Sequence, residues 1–115
     1  MKMKITQQNL NAILKSHELW LNDKDSGEQA DFTNLSLQDL DFSCIDLQKC
    51  IFKETELLYC NFSNTYFIDC IFIHSSMELC NILYTKFIDC KSINSNVINC
   101  NLKKAKVIHC EGFKF

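Results

Sequence analysis

Large apolar side chains recur at every fifth position through most of this chain. Phe32, Leu37, Phe42, Leu47, Phe52, Leu57, Phe62, Phe67, Phe72, Met77, Ile82 and Phe87 keep the interval unbroken, and Val97, Leu102 and Val107 resume it. Five is neither the helical period of 3.6 nor the strand period of two, so the pattern reads as an internal repeat. A second series lies two residues earlier and runs Ala30, Leu35, Leu40, Ile45, Cys50, Thr55, Cys60 and onward to Cys110, with every member small after residue 49. Two inward positions flanking one outward position predict a very short strand, and the other two residues of each unit make a corner. Seventeen such units fit into the 85 residues from Ala30 to Lys114.

The cysteines set how many units close a turn. Cys50, Cys60, Cys70, Cys80, Cys90, Cys100 and Cys110 are spaced by ten. An odd number of units per turn would stack each cysteine on Thr, Ser or Ala, whereas an even number stacks like on like. Two units cannot enclose a row of phenylalanines. Four per turn is the economical answer, and it predicts about four coils stacked as parallel ladders about 4.8 Å apart.

The units themselves, such as Ala30-Asp31-Phe32-Thr33-Asn34 and Cys60-Asn61-Phe62-Ser63-Asn64, resemble those of the pentapeptide-repeat family. The resemblance implies an all-β repeat fold, a right-handed quadrilateral β-helix. The segment from Leu10 to Leu21, followed by Gly27 and Ala30, also resembles a leader found on some members. Residues 1–29 are therefore expected to form a helical cap with a connecting loop, and residues 30–115 the β-helix. Thr6 is the expected N-cap of a helix over 7–21, whose Leu10, Ile13, Leu14, His17, Trp20 and Leu21 share one face at helical spacing. Ser92 and Gly112 break the row of large residues. Ser92 predicts either a void or a bulge that turns Ile93 inward, and Gly112 marks where the repeat stops. Below it, Phe113 and Phe115 are expected to plug the end or to meet another molecule, including a second copy of the chain.

Composition changes this picture little. There is no proline and only two glycines, so the many corners must tolerate ordinary residues. The net charge of −2 conceals an asymmetry, with ten of fourteen acids before residue 57 and six of twelve lysines after residue 85. The basic start runs directly into polar residues without the apolar core of a signal peptide, and no stretch is long enough to span a bilayer; the expected compartment is the cytoplasm.

Candidate chemistry is sparse. A ladder puts one thiol per coil in a line, whereas zinc wants four converging thiolates, and in-register parallel neighbours do not readily reach disulfide geometry. The seven spaced cysteines are therefore read as a reduced structural ladder, and Cys44 stands apart at a corner, read as an inert, partly buried thiol with the one reactive thiol as the alternative. His17 is read as packing beside Trp20 on the helix, and His74 and His109 have no nucleophile placed beside them by the repeat. Lys103, Lys104 and Lys106, without arginine or interleaved aromatics, argue against nucleic acid. No catalytic residue, cofactor or metal site is expected.

Sorting outward residues by a four-unit turn gives one apolar surface over two adjoining sides: Ile68, Ile88 and Ile108 with Tyr66 on one, and Ile51, Ile71, Ile73 and Ile93 on the next. Such patches often mark interfaces. A further side carries Asp41, Asn61, Asn81 and Asn101 as an outward ladder. These readings favour a non-enzymatic interaction module with an unidentified protein partner. The alternatives are a homodimer through the uncapped C-terminal coil, and a DNA mimic directed at a topoisomerase such as gyrase, a role some family members have.

Overall fold

The structure, a computed structural model, describes residues 1–113; Phe115 and Lys114, the expected second plug and the last repeat residue, lie outside the described residues. A short strand β1 (Met3–Lys4) precedes helix α1 (Gln7–Asn22). The first coil contributes β2 (Leu35–Gln38) and β3 (Asp46–Gln48), and the second β4 (Ile51–Lys53), β5 (Glu56–Leu58) and β6 (Tyr66–Ile68). The third holds β7 (Ile71–Ile73), β8 (Ser76–Glu78) and β9 (Lys86–Ile88), and the fourth β10 (Lys91–Ile93), β11 (Asn96–Ile98) and β12 (Lys106–Ile108).

Strands pair in parallel with a register of twenty residues, as in Phe52↔Phe72, Leu57↔Met77 and Phe67↔Phe87. Four faces result. The first stacks β4, β7 and β10, the second β1, β2, β5, β8 and β11, and the fourth β3, β6, β9 and β12. The third is a ladder of single bridges through Asp41, Asn61, Asn81 and Asn101. The result is the four-sided β-helix of about four turns that the repeat predicts.

The corners explain how the chain manages without glycine. Sixteen non-glycine residues, every fifth from Asn34 to His109, hold φ between 48° and 61°. Asn and Asp accept this left-handed conformation most easily. Five corners gain a second support, because the Oδ1 of Asp31, Asp41, Asn61, Asn81 and Asn101 accepts the backbone N–H two residues on, at 2.8–3.2 Å. The third-face ladder thus works chiefly as a set of local turn clamps.

Inside, aromatic rings stack coil on coil. Phe32–Phe52–Phe72 run at 5.0 and 4.8 Å, Phe42–Phe62 at 4.7 Å and Phe67–Phe87 at 4.7 Å. The small series ties the coils together from within. From Thr55 to Cys90 each hydroxyl or thiol donates to the carbonyl of a large inward residue one coil above, as Thr65 does to Phe42 (2.6 Å), Cys70 to Leu47 (3.1 Å) and Ser75 to Phe52 (2.9 Å). A small side chain with a donor suits this place, and from Cys50 to Cys100 the series alternates Cys with Thr or Ser.

A solenoid end leaves unpaired strand groups that need covering. Thr6 and Asn9 form a reciprocal capping box that starts α1. The helix buries Leu10 and His17 over the first coil. It also supplies hydrogen bonds to the upper edge. The Gln7 amide accepts from Asp41 N–H (2.8 Å) and donates to the Asp41 carbonyl (3.1 Å), as a strand partner would. His17 Nδ1 accepts the Ala30 N–H (2.8 Å), which leaves Nε2 to donate to the Gln48 carbonyl. Strand β1 covers β2 through Met3↔Leu35 and Lys4↔Ser36. Leu21, expected on the packed face, is exposed, because it lies toward the open groove along the first coil.

The lower end closes differently. Strand β10 keeps regular register with Ser92 under Phe72 and Ile93 turned outward, so there is no bulge. Ser92 leaves room instead, and Phe113 fills most of it, its ring 5.6 Å from Phe72 and 5.0 Å from Phe87. A residual cleft of about 20 Å³ persists among Phe72, Ser75, Ser92, Ser95, Val97 and Phe113. Gly112 makes this possible: its φ is +82°, and a Cβ there would lie 1.9 Å from the Ser92 carbonyl oxygen.

Candidate functional site

The outward side chains of the fourth and first faces assemble as two neighbouring sheets joined at one corner. On the fourth face Gln48, Ile68, Ile88 and Ile108 form one column and Asp46, Tyr66, Lys86 and Lys106 the other. On the first face Ile51, Ile71 and Lys91 form one column and Lys53, Ile73 and Ile93 the other. Ile71, Ile93 and Ile108 are 38%, 49% and 37% exposed. Ile51, Tyr66, Ile68, Ile73 and Ile88 are half-buried against their stacked neighbours. Every isoleucine singled out from the sequence therefore points outward on these two faces.

Charge enters the surface at its shared edge. The corner residues between the faces are Lys49, Asp69, Asp89 and His109, and the backbone N–H groups of the first three continue the fourth-face ladder. His109 lies 3.9 Å from Asp89, with both side chains largely in solvent, an arrangement of little energetic weight. Tyr66 is partly covered by the Lys86 ammonium, 5.0 Å from its ring centre. The surface is thus two apolar strips separated by a charged ridge, with lysines at its lower margin. His74 belongs to the next corner, where the coil register sets it between Glu54 and Asn94, away from Asp69.

The thiols stand in two columns, Cys50, Cys70, Cys90 and Cys110 on one wall and Cys60, Cys80 and Cys100 on the other, none in a disulfide. Burial raises the thiol pKa of Cys70, Cys100 and Cys110. For Cys80 and Cys90 the stacked thiol above is the larger cause of the rise, with burial second. Among the described residues, no group of three or more His, Cys, Asp or Glu side chains is arranged to hold a metal ion. Cys44 departs from expectation: its left-handed corner (φ 61°) turns it fully outward, so it is exposed rather than partly buried.

Other exposed apolar residues escaped the sequence reading. Tyr59 and Leu79 occupy one left-handed corner column, beside exposed Ile98, and Tyr84 the next, and all three are exposed. The signal was present in the register, since the corner phase could have been searched for bulky residues as the strand phase was.

A family model described as pentapeptide repeats matches residues 46–82 in eight copies. Over those residues the repeats are pentapeptide repeats. Its fold is similar to the crystal structure of a pentapeptide repeat protein (Rfr23) from the cyanobacterium Cyanothece 51142. The TM-score is 0.58 and the identity 21%, over 77% of this chain and 64% of that one. The chain thus spans less than two thirds of that protein's length, and at this identity the likeness is one of fold. No curated protein matches. Among the described residues, no helix is long and apolar enough to cross a membrane.

Proposed function

We propose that this protein is a non-enzymatic interaction module that docks a protein partner on its fourth and first faces. The observation that supports the reading is the in-register array of outward isoleucines, including exposed Ile71, Ile93 and Ile108. β-branched residues suit strands, but a long exposed array exceeds what strand formation requires and resembles a docking surface. The charged ridge of Lys49, Asp69, Asp89 and His109 would fix the orientation of a partner, since charges contribute specificity more than affinity. The test is the double substitution Ile68→Lys with Ile88→Lys. It is expected to leave the circular dichroism and melting temperature near wild type while removing a partner recovered with the wild-type protein from its source cells. Equal recovery by both proteins would end this reading.

A second reading, a homodimer through the last coil, is supported by a separate observation. Val107 points into the coil interior yet is 38% exposed, and Val97 and Leu102 are only half-buried. Light scattering over a dilution series tests it, with Val107→Lys expected to convert any dimer to monomer. A topoisomerase-directed role has less support, because the outward row changes from Asp41 to Asn61, Asn81 and Asn101 and lysines gather on the last coil.

A further inference from the structure

The thiol columns end in a different environment from the one in which they begin. Cys50, Cys60, Cys70, Cys80 and Cys90 are sealed, whereas Cys100 and Cys110, in the lowest turn, are half-exposed. Each of these two lies directly beneath a buried thiol. The Sγ of Cys100 is 3.3 Å from the Cys80 amide nitrogen, and the Sγ of Cys110 is 3.2 Å from that of Cys90.

The spacing of the coils decides what such a pair can do. Equivalent atoms of parallel strands stand about 4.8 Å apart. A disulfide needs Cβ atoms about 3.8 Å apart and sulfurs about 2.05 Å apart, which the ladder does not supply without moving backbone. Tetrahedral zinc needs four converging ligands and meets only two. A soft closed-shell cation that holds two thiolates in a line has a different requirement, namely sulfurs separated by two metal–sulfur bonds. With a bond near the 2.3 Å of zinc thiolates that separation is about 4.6 Å, close to the coil repeat. Soft thiolate ligands select Cu(I), zinc and iron–sulfur clusters among the biological metals, and the demand of the last two for more ligands leaves Cu(I).

We infer that the pairs Cys80–Cys100 and Cys90–Cys110 are two-coordinate sites for a soft monovalent cation of the Cu(I) or Ag(I) class, entered past the half-exposed thiols of the last coil. Binding is a ligand exchange without oxidation: one cation and two thiols give a bis-thiolate complex of charge −1 and release two protons to solvent. The protons leave S–H groups that now donate to carbonyls, Cys100 to Met77 (3.5 Å) and Cys110 to Phe87 (3.2 Å), with Cys80 and Cys90 donating to Leu57 and Phe67. The negative complex forms at the electropositive end, where Lys91, Lys103, Lys104 and Lys106 outnumber Glu111. Thiols higher in the columns have the same spacing but no route for a cation.

The test titrates the full, reduced chain with Cu(I) under anaerobic conditions in competition with bicinchoninate, in a Cys44→Ser background that removes the exposed thiol. Native mass spectrometry counts bound ions. Two ions per chain are expected, each releasing two protons, with Cys100→Ser and Cys110→Ser each lowering the count by one and together abolishing it. Serine preserves the ladder, since Ser75 already donates from such a position, and circular dichroism checks each variant. Cys60→Ser, a sealed thiol outside both pairs, is the control and keeps both ions. X-ray absorption should find two sulfurs per copper. No binding against the chelator, a count unmoved by the serine variants, or three sulfurs per copper with copper–copper scattering overturns the inference.

Discussion

Replacing His17 with alanine tests whether the helix seals the solenoid by hydrogen bonding or merely by apolar cover. The imidazole is 3% exposed and its two nitrogens serve the buried Ala30 N–H and the Gln48 carbonyl. Alanine strips both backbone groups of their partner. A buried group left unsatisfied costs about 1–3 kcal/mol. Ala30 deserves the upper part of that range, and Gln48, an exposed residue whose carbonyl water can reach, the lower part. Lost contact with Trp20, stacked at 5.5 Å, adds a smaller amount. The sum is about 3 kcal/mol, a severe effect for one substitution. With a urea slope of about 1–3 kcal/mol/M, the midpoint should fall by about 1–3 M. Trp20 is the single tryptophan, so its fluorescence follows docking of the helix, while far-UV circular dichroism follows the coils. The fluorescence transition should move first and furthest, and His17→Gln, which retains an acceptor and a donor, should recover part of the loss. A loss in His17→Ala below about 0.5 kcal/mol, the ordinary scatter for surface changes, would refute the argument.

Gly112→Ala should eject Phe113 from its place against Phe72 and Phe87, since the new Cβ would meet the Ser92 carbonyl and the backbone lies at φ +82°; a drop of about 4–8 °C in melting temperature is expected per kcal/mol lost, with faster proteolysis confined to the C-terminal end. Thiol titration of the native reduced protein should find Cys44 reacting at once, Cys100 and Cys110 slowly, and the sealed thiols only after denaturation, when all eight react; a fast phase of more than one thiol contradicts the burial pattern. Hydrogen bonds from the Ser43 side chain and backbone N–H hold the Asp41 carboxyl below its usual range. A depressed folded pKa gives stability that is full above the unfolded value, about 3.9, and is lost as the pH falls through the folded one. Asp41→Asn, which keeps the turn clamp used by Asn61 and Asn81, should flatten the melting temperature below about pH 4 and change little near neutrality.

The core was legible because its spacing overdetermines it. Phe32 to Phe87 at intervals of five and cysteines at intervals of ten leave one economical winding, and the register of twenty residues follows. Helix α1 was legible from Thr6 and its apolar face, but its role as a hydrogen-bonding lid was not. Gln7, His17 and β1 meet backbone groups of residues 3–48 only after the coil exists, and no local pattern announces that. Ser92 and Gly112 were visible as breaks, yet their connection through Phe113 depends on a close approach between residues twenty apart. For the candidate site, alternation identified which isoleucines face outward. It did not reveal the charged ridge between the strips, because corner residues were not sorted by column.

That omission bears on where function lies in a repeat of this kind. The inward positions are constrained by the coil, since over most of the rows a large residue meets a large residue and a small donor reaches the carbonyl above; their identities therefore report first on folding. Corners obey a weaker rule that favours Asn or Asp, and departures from it need another cause. Tyr59, Leu79 and Tyr84 hold φ values of 53–56° that bulky side chains disfavour, and all three are exposed. Such residues combine backbone strain with exposed apolar area, and neither stabilises the coil. If they serve only the fold, Leu79→Asn should be neutral or destabilising. If the surface is kept for contact with another molecule, the same substitution relieves the corner and should raise the melting temperature. A stabilising Leu79→Asn would therefore separate the residues that build the solenoid from those that use it.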